Sequence, residues 1–277
     1  MFNFFLYFLL FLFYSACGWI LEVFYCMIVD TREKKKFTVT NRGFLSGPIC
    51  PIYGFTAVAM ALTLSGFRDS VPRLFLIGIF VCDAVEYFTS YIMEKLFNAR
   101  WWDYKNELLN IKGRICLKHS IMWGCLSVVF IKFVHSNVEK FFLQFNKDQI
   151  LIAASALLIV FAYDVITTVL MSYSLRDLQN KILKVKEAFS EFNTKTGSRR
   201  AKIPEYAMEF RKTIKVFSKG RRRSRILHMV RAYPAIFELM RDELAEIQSV
   251  PSEFRNELTF MQMDLDTLLN EDKSELN

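Results

Sequence analysis

The chain has 277 residues, of which 53% are hydrophobic and 16% aromatic, and its formal net charge is +8. Its six cysteines lie in or beside apolar segments without CxxC spacing, and it has only three histidines, which argues against a disulfide framework, a zinc site and a histidine-rich metal centre. Mean hydropathy is positive although the final third is highly charged. We therefore divide the chain into a transmembrane domain, 1–173, and a charged tail, 174–277.

Five apolar segments are each long enough to cross a bilayer, which takes roughly 20 residues. They cover residues 2–29 and about 48–66, 73–97, 115–134 and 149–173. No Lys or Arg precedes Arg32, so the first segment lacks the basic start of a signal peptide and should be retained as a helix. The sequence predicts an all-α, polytopic membrane protein with five transmembrane helices.

The loop charges predict the orientation of these helices. Five basic residues lie between Arg32 and Arg42, after the first segment, and five lie between Arg100 and Lys118, after the third. The alternate connections contain fewer. Because cytoplasmic loops carry the excess of Lys and Arg, we expect the amino terminus outside and the carboxyl-terminal tail in the cytoplasm.

The second segment begins with NRGFLSGPICPIYG. Its glycines and prolines, Gly43, Gly47, Pro48, Pro51 and Gly54, argue against a regular helix over the first turns. Non-helical backbone at membrane depth is tolerated only where it is buried in protein or lines a water-filled cavity. We therefore predict a broken helix on the cytoplasmic side.

Asp83 and Glu86 lie near the middle of the third segment, three residues apart and so on one helix face, with Ser90 and Glu94 in line. An acid at the centre of a membrane helix costs about 2.5–3.5 kcal/mol on insertion scales, so it normally faces a partner or a wet cavity. Two interpretations stay open. The pair responds to protons or cations or contacts a polar substrate, or it forms structural ion pairs with Arg42, Arg100, Arg114 or Lys118.

Glu22, in the motif GWILEV, either points into the same vestibule or is solvated near the headgroups; Gly18, one turn earlier, would allow close helix contact. Asp164 is a weaker candidate in the inner half of the fifth segment. The predicted cytoplasmic vestibule consists of Glu22, Asn41, Arg42, Asp83, Glu86, Arg114 and Lys118.

Residues Arg100, Trp101, Trp102 and Asp103 follow the third segment. Tryptophans at this place are typical of a membrane interface, and their union with charged neighbours also allows a partner-docking role. The chain contains no GxxxxGK[ST] loop, no HExxH and no GxSxG motif. We therefore predict neither enzymatic activity nor a cofactor; an intramembrane enzyme would depend on the acids and His119 alone.

The tail shows heptad spacing of apolar residues. One run covers 171–192, so the fifth helix should continue unbroken into the cytoplasm, and further runs cover 226–247 and 254–268, with a weaker one at 203–217. Pro234 should kink the second run or mark a restart. The pattern predicts a cytoplasmic helical bundle or a coiled coil, through which the protein could self-associate.

A basic cluster, KGRRRSR, covers residues 219–225. It predicts a patch that binds anionic lipid at the membrane surface, with Arg221, Arg222, Arg223 and Arg225 as its arginines. No nucleic-acid recognition motif accompanies it, so we expect no nucleic-acid partner.

At GWILEV, NRGFLSGPICPIYG, EYFTSYIMEKLFNARWWDY and GRICLKHSIMWG, the sequence resembles a bacterial membrane-protein family catalogued as ABC-transporter type IV, or CmpB-like, permeases. The resemblance covers about residues 1–135 and continues more weakly to 173. It implies a multi-pass protein of the bacterial cytoplasmic membrane that serves as the permease component of a transport system. A separate ATPase subunit would then be required, and the connection 98–114 would be its docking surface. The alternative is a non-transporting scaffold or sensor that acts through the helical tail.

Overall fold

The computed structural model describes residues 2–34, 43–97, 100–192, 203–217, 226, 228–229, 234–247 and 254–270. The chain divides into two compact units, 1–166 and 167–277. Within the described residues the secondary structure is helical apart from an isolated bridge between Ile111 and Ile115, which confirms the all-α class. The division falls seven residues before the predicted domain boundary, and the membrane and cytoplasmic placement of the two units stays a prediction.

The helices that begin in the first unit are α1 (Phe2–Lys34), α2 (Pro51–Leu64), α3 (Val71–Phe97), α4 (Leu117–Val129), α5 (Ser136–Phe142) and α6 (Lys147–Phe192). A short 3₁₀ helix, Ser65–Phe67, follows α2, and a π-helix, Phe130–His135, joins α4 to α5. The 46-residue α6 continues into the second unit. That unit also contains α7 (Ile203–Phe217), α8 (Pro234–Ala245) and α9 (Arg255–Asn270).

Three helical stretches of the described chain are long and apolar enough to cross a membrane: Phe2–Ile28, Leu117–Phe142 and Lys147–Ala188. A shorter apolar helix covers Pro51–Phe67. The fourth predicted segment ends too early at residue 134, because the helical path continues through the π-helix to Phe142, where Val138 and Phe142 pack against the core. The protein is a membrane protein by these helices, while the count of five spans stays a prediction.

Glycines bring α1 and α2 together. A Cβ on Gly18 would overlap the side chain of Tyr53, and a Cβ on Gly54 would lie 2.5 Å from the carbonyl oxygen of Phe11 and overlap the Ser15 hydroxyl. The backbones therefore approach at a distance that only glycine permits. The close contact expected at Gly18 is present.

The predicted break in the second segment is shorter than expected. Residues 43–50 are non-helical, but Pro51 and Gly54, both assigned to the break, belong to the regular helix α2. Proline at the first helical position loses no hydrogen bond, since that amide has no partner within a helix. Gly54 serves the contact with α1 and is not a helix breaker.

The second unit buries the predicted heptad positions. The described buried members are Met171, Leu175, Leu178, Ile182, Val185, Ile203, Phe210, Ile214, Phe217, Ile226, Phe237, Met240, Leu244, Ile247, Phe254, Leu258, Met261 and Leu265. Ion pairs join the helices, with Lys186 of α6 to Glu243 of α8 and Arg211 of α7 to Asp264 of α9. Apolar seams that face one another and charged pairs at their edges produce a helical bundle.

The helix α8 is described from Pro234 onward; residues 230–233 lie outside the described residues, so whether this proline kinks the run or marks a restart stays a prediction. The arginines of the predicted lipid patch, Arg221, Arg222, Arg223 and Arg225, lie outside the described residues. Anionic-lipid binding and self-association through the tail therefore remain predictions.

Candidate functional site

Glu86 of α3 is the centre of a polar cluster in the first unit. Its side chain is buried, at 6% exposure, and one carboxylate oxygen accepts a hydrogen bond from the indole of Trp123 in α4 at 2.8 Å. The other oxygen accepts one from the phenol of Tyr104 at 3.2 Å. Both donors are neutral, so these contacts satisfy the carboxylate oxygens without supplying a counter-charge.

Tyr104 belongs to the connecting loop between α3 and α4, residues 100–116, and reaches Glu86 from there. Its ring stacks on His119 of α4 with 4.4 Å between ring centroids, and the His119 imidazole lies 3.0 Å from the Cys116 sulfur. Burial, reinforced by the Glu86 carboxylate, raises the pKa of the Tyr104 phenol above its ordinary value. The phenol is therefore kept in its neutral, hydrogen-donating form.

Glu22 of α1 is joined to the same cluster through aromatic side chains. The phenol of Tyr53 in α2 donates a hydrogen bond to Glu22 at 2.7 Å, and the Tyr53 ring lies 6.0 Å from that of Trp123, centroid to centroid. Since Trp123 donates to Glu86, a continuous line of contacts connects the two carboxylates. This favours the vestibule interpretation of Glu22 over the solvated one.

Asp83, one turn before Glu86, contacts a different partner. Its Oδ2 accepts a hydrogen bond from the Ser120 hydroxyl of α4 at 2.6 Å. Its Oδ1 is buried and accepts no hydrogen bond from the described residues. Asp83 and Glu86 are thus both tied to α4, but through separate donors.

Asp164 of α6 holds the non-helical segment 43–50. The backbone amides of Ser46 and Gly47 donate to its two carboxylate oxygens at 3.2 and 2.9 Å, and the amide of Cys50 donates to the carbonyl of Ser15 in α1 at 2.9 Å. These three amides of the broken segment are therefore satisfied by protein, which is what the predicted position at membrane depth requires.

Two arginines that the sequence offers as partners for Asp83 and Glu86 pair with Glu94 instead, which lies two turns beyond Glu86. Arg114, with its side chain 8% exposed, forms an ion pair with Glu94 and donates to the Ser90 hydroxyl at 3.1 Å. Arg100 approaches Glu94 from the other side at 3.1 Å. Neither Arg100 nor Arg114 therefore pairs with Asp83 or Glu86; Glu94 takes both arginines because it lies at the loop end of α3. Arg42, another predicted partner, lies outside the described residues, so an ion pair with it stays a prediction.

The four residues assigned to an interface or docking role, Arg100, Trp101, Trp102 and Asp103, hold the loop together. Arg100 pairs with Asp103 at 3.6 Å, and the Trp102 indole donates to the carbonyl oxygen of Arg114 at 2.9 Å. The Trp101 ring contacts that of Phe44 edge-on, with 5.1 Å between centroids. These contacts give the four residues an internal structural role, and their role toward a membrane or a partner stays a prediction.

We expect Gly113→Ala to loosen this loop. Gly113 has φ +70°, which costs an L-residue roughly 1–2 kcal/mol, and an added Cβ would also overlap the Asp103 carboxylate. Hydrogen exchange should report faster exchange at the amide of Tyr104, which donates to the Gly113 carbonyl. Lys112→Gly is the opposite control: Lys112 has φ +52°, so glycine there should slow exchange. Equal exchange in both variants would contradict the strain argument.

The predicted vestibule also includes Asn41, Arg42 and Lys118. Asn41 and Arg42 lie outside the described residues, and Lys118 is exposed, so it does not share the buried site. The aromatic donors Tyr53, Tyr104 and Trp123 were missed. Tyr53 lies in the first turn of α2, Tyr104 in the connecting loop and Trp123 inside α4, and nothing in these positions signals a carboxylate partner. No group of three or more His, Cys, Asp or Glu within the described ranges could hold a metal ion.

A family model described as "Putative ABC-transporter type IV" matches residues 9–169. Comparisons with curated proteins and with solved structures give no match. The matched range covers more than half of the chain and contains Glu22, Asp83, Glu86 and Asp164 with their partners, whereas α7, α8 and α9 lie beyond it. The match agrees with the resemblance of the four sequence blocks, and the chain belongs to the Putative ABC-transporter type IV family.

Proposed function

We propose that this protein is the permease component of a transport system in the bacterial cytoplasmic membrane, and that Glu86 is the central carboxylate of its polar vestibule. In this proposal five helices span the bilayer, the amino terminus is outside, the helical tail is cytoplasmic, and a separate ATPase subunit supplies the energy. The protein itself carries out no chemical step. Membership of an ABC-transporter family supports the transport role.

One observation carries the proposal: a buried carboxylate receives its hydrogen bonds from neutral donors although two arginines lie two turns away. Among the residues that the structure describes, no cation forms an ion pair with Glu86, and a buried ion without a counter-charge is costly. A side chain kept for structure alone would gain by pairing with a cation. Glu86 is instead available to bind a proton, a cation or a polar substrate, as intramembrane carboxylates of transporters do.

The first test is purification of the tagged protein from its native host in mild detergent, followed by mass spectrometry of the bound proteins. A stoichiometric ATPase is the expected result. The complex is then reconstituted in proteoliposomes, and its ATPase rate is compared between wild type and Glu86→Gln. We expect a loss of about tenfold or more, since a single charged contact contributes roughly 1.5–3 kcal/mol.

Asp69→Asn is the control, because Asp69 is an exposed carboxylate between α2 and α3. It should leave the ATPase rate unchanged. Glutamine retains the acceptor oxygen and the size of Glu86, so correct folding is checked by elution as a single species. A Glu86→Gln complex with the wild-type rate would overturn the assignment of Glu86, and absence of any ATPase would overturn the permease role.

A second candidate is a membrane scaffold or sensor that acts through its tail. It is favoured by α6, which runs without interruption for 46 residues from the first unit into the second. Deletion of residues 174–277 separates the two candidates. A transport subunit should retain its ATPase partner and part of its activity, whereas a scaffold should lose the partner that it recruits.

A further inference from the structure

A cleft of about 230 Å³ lies between α3, α4 and the connecting loop. Its apolar walls are formed by Ile79 of α3, Leu109 and Ile111 of the loop, and Leu117 and Ile121 of α4. Pockets for drug-sized ligands have volumes of roughly 300–1,000 Å³. The cleft is therefore suited to a narrow apolar group, such as a segment of an acyl chain.

An exposed leucine, Leu109, lines the cleft, and its neighbour Leu108 is exposed beside it. Leu108 is 73% exposed and Leu109 is 70% exposed. Leu109 is held at φ +51°, a left-handed conformation that costs a non-glycine residue roughly 1–2 kcal/mol. Next to it, the amide of Leu117 donates a hydrogen bond to the carbonyl oxygen of Leu108 at 3.2 Å, and elsewhere in the loop the amide of Tyr104 donates one to the carbonyl oxygen of Gly113 at 2.8 Å. In water the exposed apolar surface of these leucines costs free energy, whereas contact of the same surface with lipid chains is favourable.

Two lysines flank the apolar lining. Lys112 follows Ile111 and Lys118 follows Leu117, and both side chains are exposed. Neither ammonium group forms an ion pair within the part of the chain that the structure describes. By contrast, Lys105 of the same loop is paired with Asp103 at 3.2 Å. Two unpaired cations next to an apolar cleft are complementary to a ligand with an anionic head and an apolar chain.

The carboxylate at the cleft determines which end of such a ligand enters. Asp83 also lines the cleft, with its Oδ2 bonded to Ser120 and its Oδ1 buried. Little of its polar surface faces the cleft, but its negative charge would repel a phosphate from the interior. A phosphate would therefore remain outside the cleft, within reach of Lys112 and Lys118, whose sequence neighbours Ile111 and Leu117 line it, and the chain would occupy the interior.

We propose that this cleft binds one acyl chain of an anionic phospholipid, whose phosphate contacts Lys112 and Lys118. The site lies within the loop that joins two apolar helices, where the headgroups of a leaflet would be in reach. It is independent of the transport role of Glu86, since Glu86 does not line the cleft. A scaffold protein could use the same lipid site.

The test measures lipid retention. Wild type and variants are reconstituted in nanodiscs with equal amounts of phosphatidylglycerol and phosphatidylcholine of identical chains, extracted into detergent, and analysed by native mass spectrometry. We expect wild type to retain phosphatidylglycerol. Lys112→Gln/Lys118→Gln should weaken retention about fivefold for each lysine, in line with roughly 1 kcal/mol per basic residue near anionic lipid.

Two further variants separate chain binding from charge. Ile121→Trp narrows the cleft, and because Ile121 is 46% exposed the larger ring can be accommodated; it should lower retention of both lipids. Lys132→Gln/Lys140→Gln removes two charges from the π-helix and α5, outside the cleft lining, and should leave retention unchanged. Equal retention of both lipids by wild type, or equal losses in the two double-lysine variants, would overturn the proposal. So would a bound protein that displaces lipid from the cleft.

Discussion

Gly54→Ala is expected to separate α1 from α2 and to lower the free energy of unfolding by about 3 kcal/mol, the upper part of the range for overpacking a filled site. The added Cβ would lie 2.5 Å from the carbonyl oxygen of Phe11. A backbone atom in the middle of a helix cannot move aside alone, so the whole helix must shift. Denaturant titration in detergent, followed by tryptophan fluorescence, measures the loss.

The shift should also disturb the carboxylate cluster. Tyr53 precedes Gly54 directly and donates to Glu22, so a displaced α2 would lengthen the contacts from Glu22 to Trp123. Glu86→Gln, in contrast, changes the cluster without changing the helix contact. The two substitutions therefore distinguish a defect in helix packing from a defect in the polar site.

Gly66→Ala is the matched control, because a Cβ on Gly66 would have no atom within 4 Å. It should unfold as wild type does. The double variant Gly54→Ala/Ser15→Ala removes the Ser15 hydroxyl, which also obstructs the new Cβ, but leaves the Phe11 carbonyl in place. It should therefore remain destabilised. Full recovery in the double variant would show that a movable side chain, and not the backbone, sets the helix distance.

The helical tail could be predicted in some detail because its signal is local. Heptad spacing depends on the order of residues within one helix, and the same spacing decides which residues are buried. Pro234 likewise predicts a kink or a restart from the sequence alone, because proline fits only the first turn of a helix. These features need no knowledge of which helix lies beside which.

The partners of the carboxylates could not be predicted in the same way. Asp83 and Glu86 were placed correctly on one face of α3, and charge alone made Arg114 a plausible partner for either. Which carboxylate Arg114 pairs with depends on the point along α3 that the loop contacts. Glu94 lies eight residues beyond Glu86, about 12 Å along a helix with 1.5 Å rise per residue. The loop delivers Arg114 to Glu94 and Tyr104 to Glu86.

The contacts of the loop's aromatic residues, Trp102 and Tyr104, could not be predicted from the sequence either. Tryptophan and tyrosine beside a basic loop suggest a membrane interface, and that rule is statistical. In this loop Trp102 and Tyr104 also donate hydrogen bonds to Arg114 and Glu86, which the rule does not predict; a position at a membrane interface stays a prediction. An amphipathic ring serves either purpose, since it has an apolar body and one polar atom. Only the tertiary contacts decide between them.

Arg114→Met is expected to be the most damaging substitution of a charged residue in the described part of the first unit. The guanidinium group lies 5.6 and 5.5 Å from the ring centroids of Tyr87 and Tyr91, and it joins Ser90 and Glu94 on α3 to the far end of the loop. Methionine keeps much of the volume but leaves both polar groups without this donor.

Removing one member of a buried ion pair costs about 3–5 kcal/mol. Glu94 is 31% exposed and retains Arg100, so we expect the lower end, about 3 kcal/mol by the same comparison. Denaturant titration in detergent measures the change in unfolding free energy. Arg114→Lys should recover part of the loss, because an ammonium group keeps the charge but cannot contact Ser90 and Glu94 with two separate nitrogens.

Arg100→Met provides the comparison within the same cluster. Its side chain is 31% exposed, and partly solvated pairs contribute about 1 kcal/mol or less. The ratio of the two losses therefore measures how much burial strengthens the Arg114 contact. Equal losses of unfolding free energy in the two variants would mean that both arginines stabilise the loop to the same extent and that the burial of Arg114 adds nothing. A larger loss for Arg114 would identify it as the residue that fixes the loop, and with it Tyr104, against the Glu86 carboxylate.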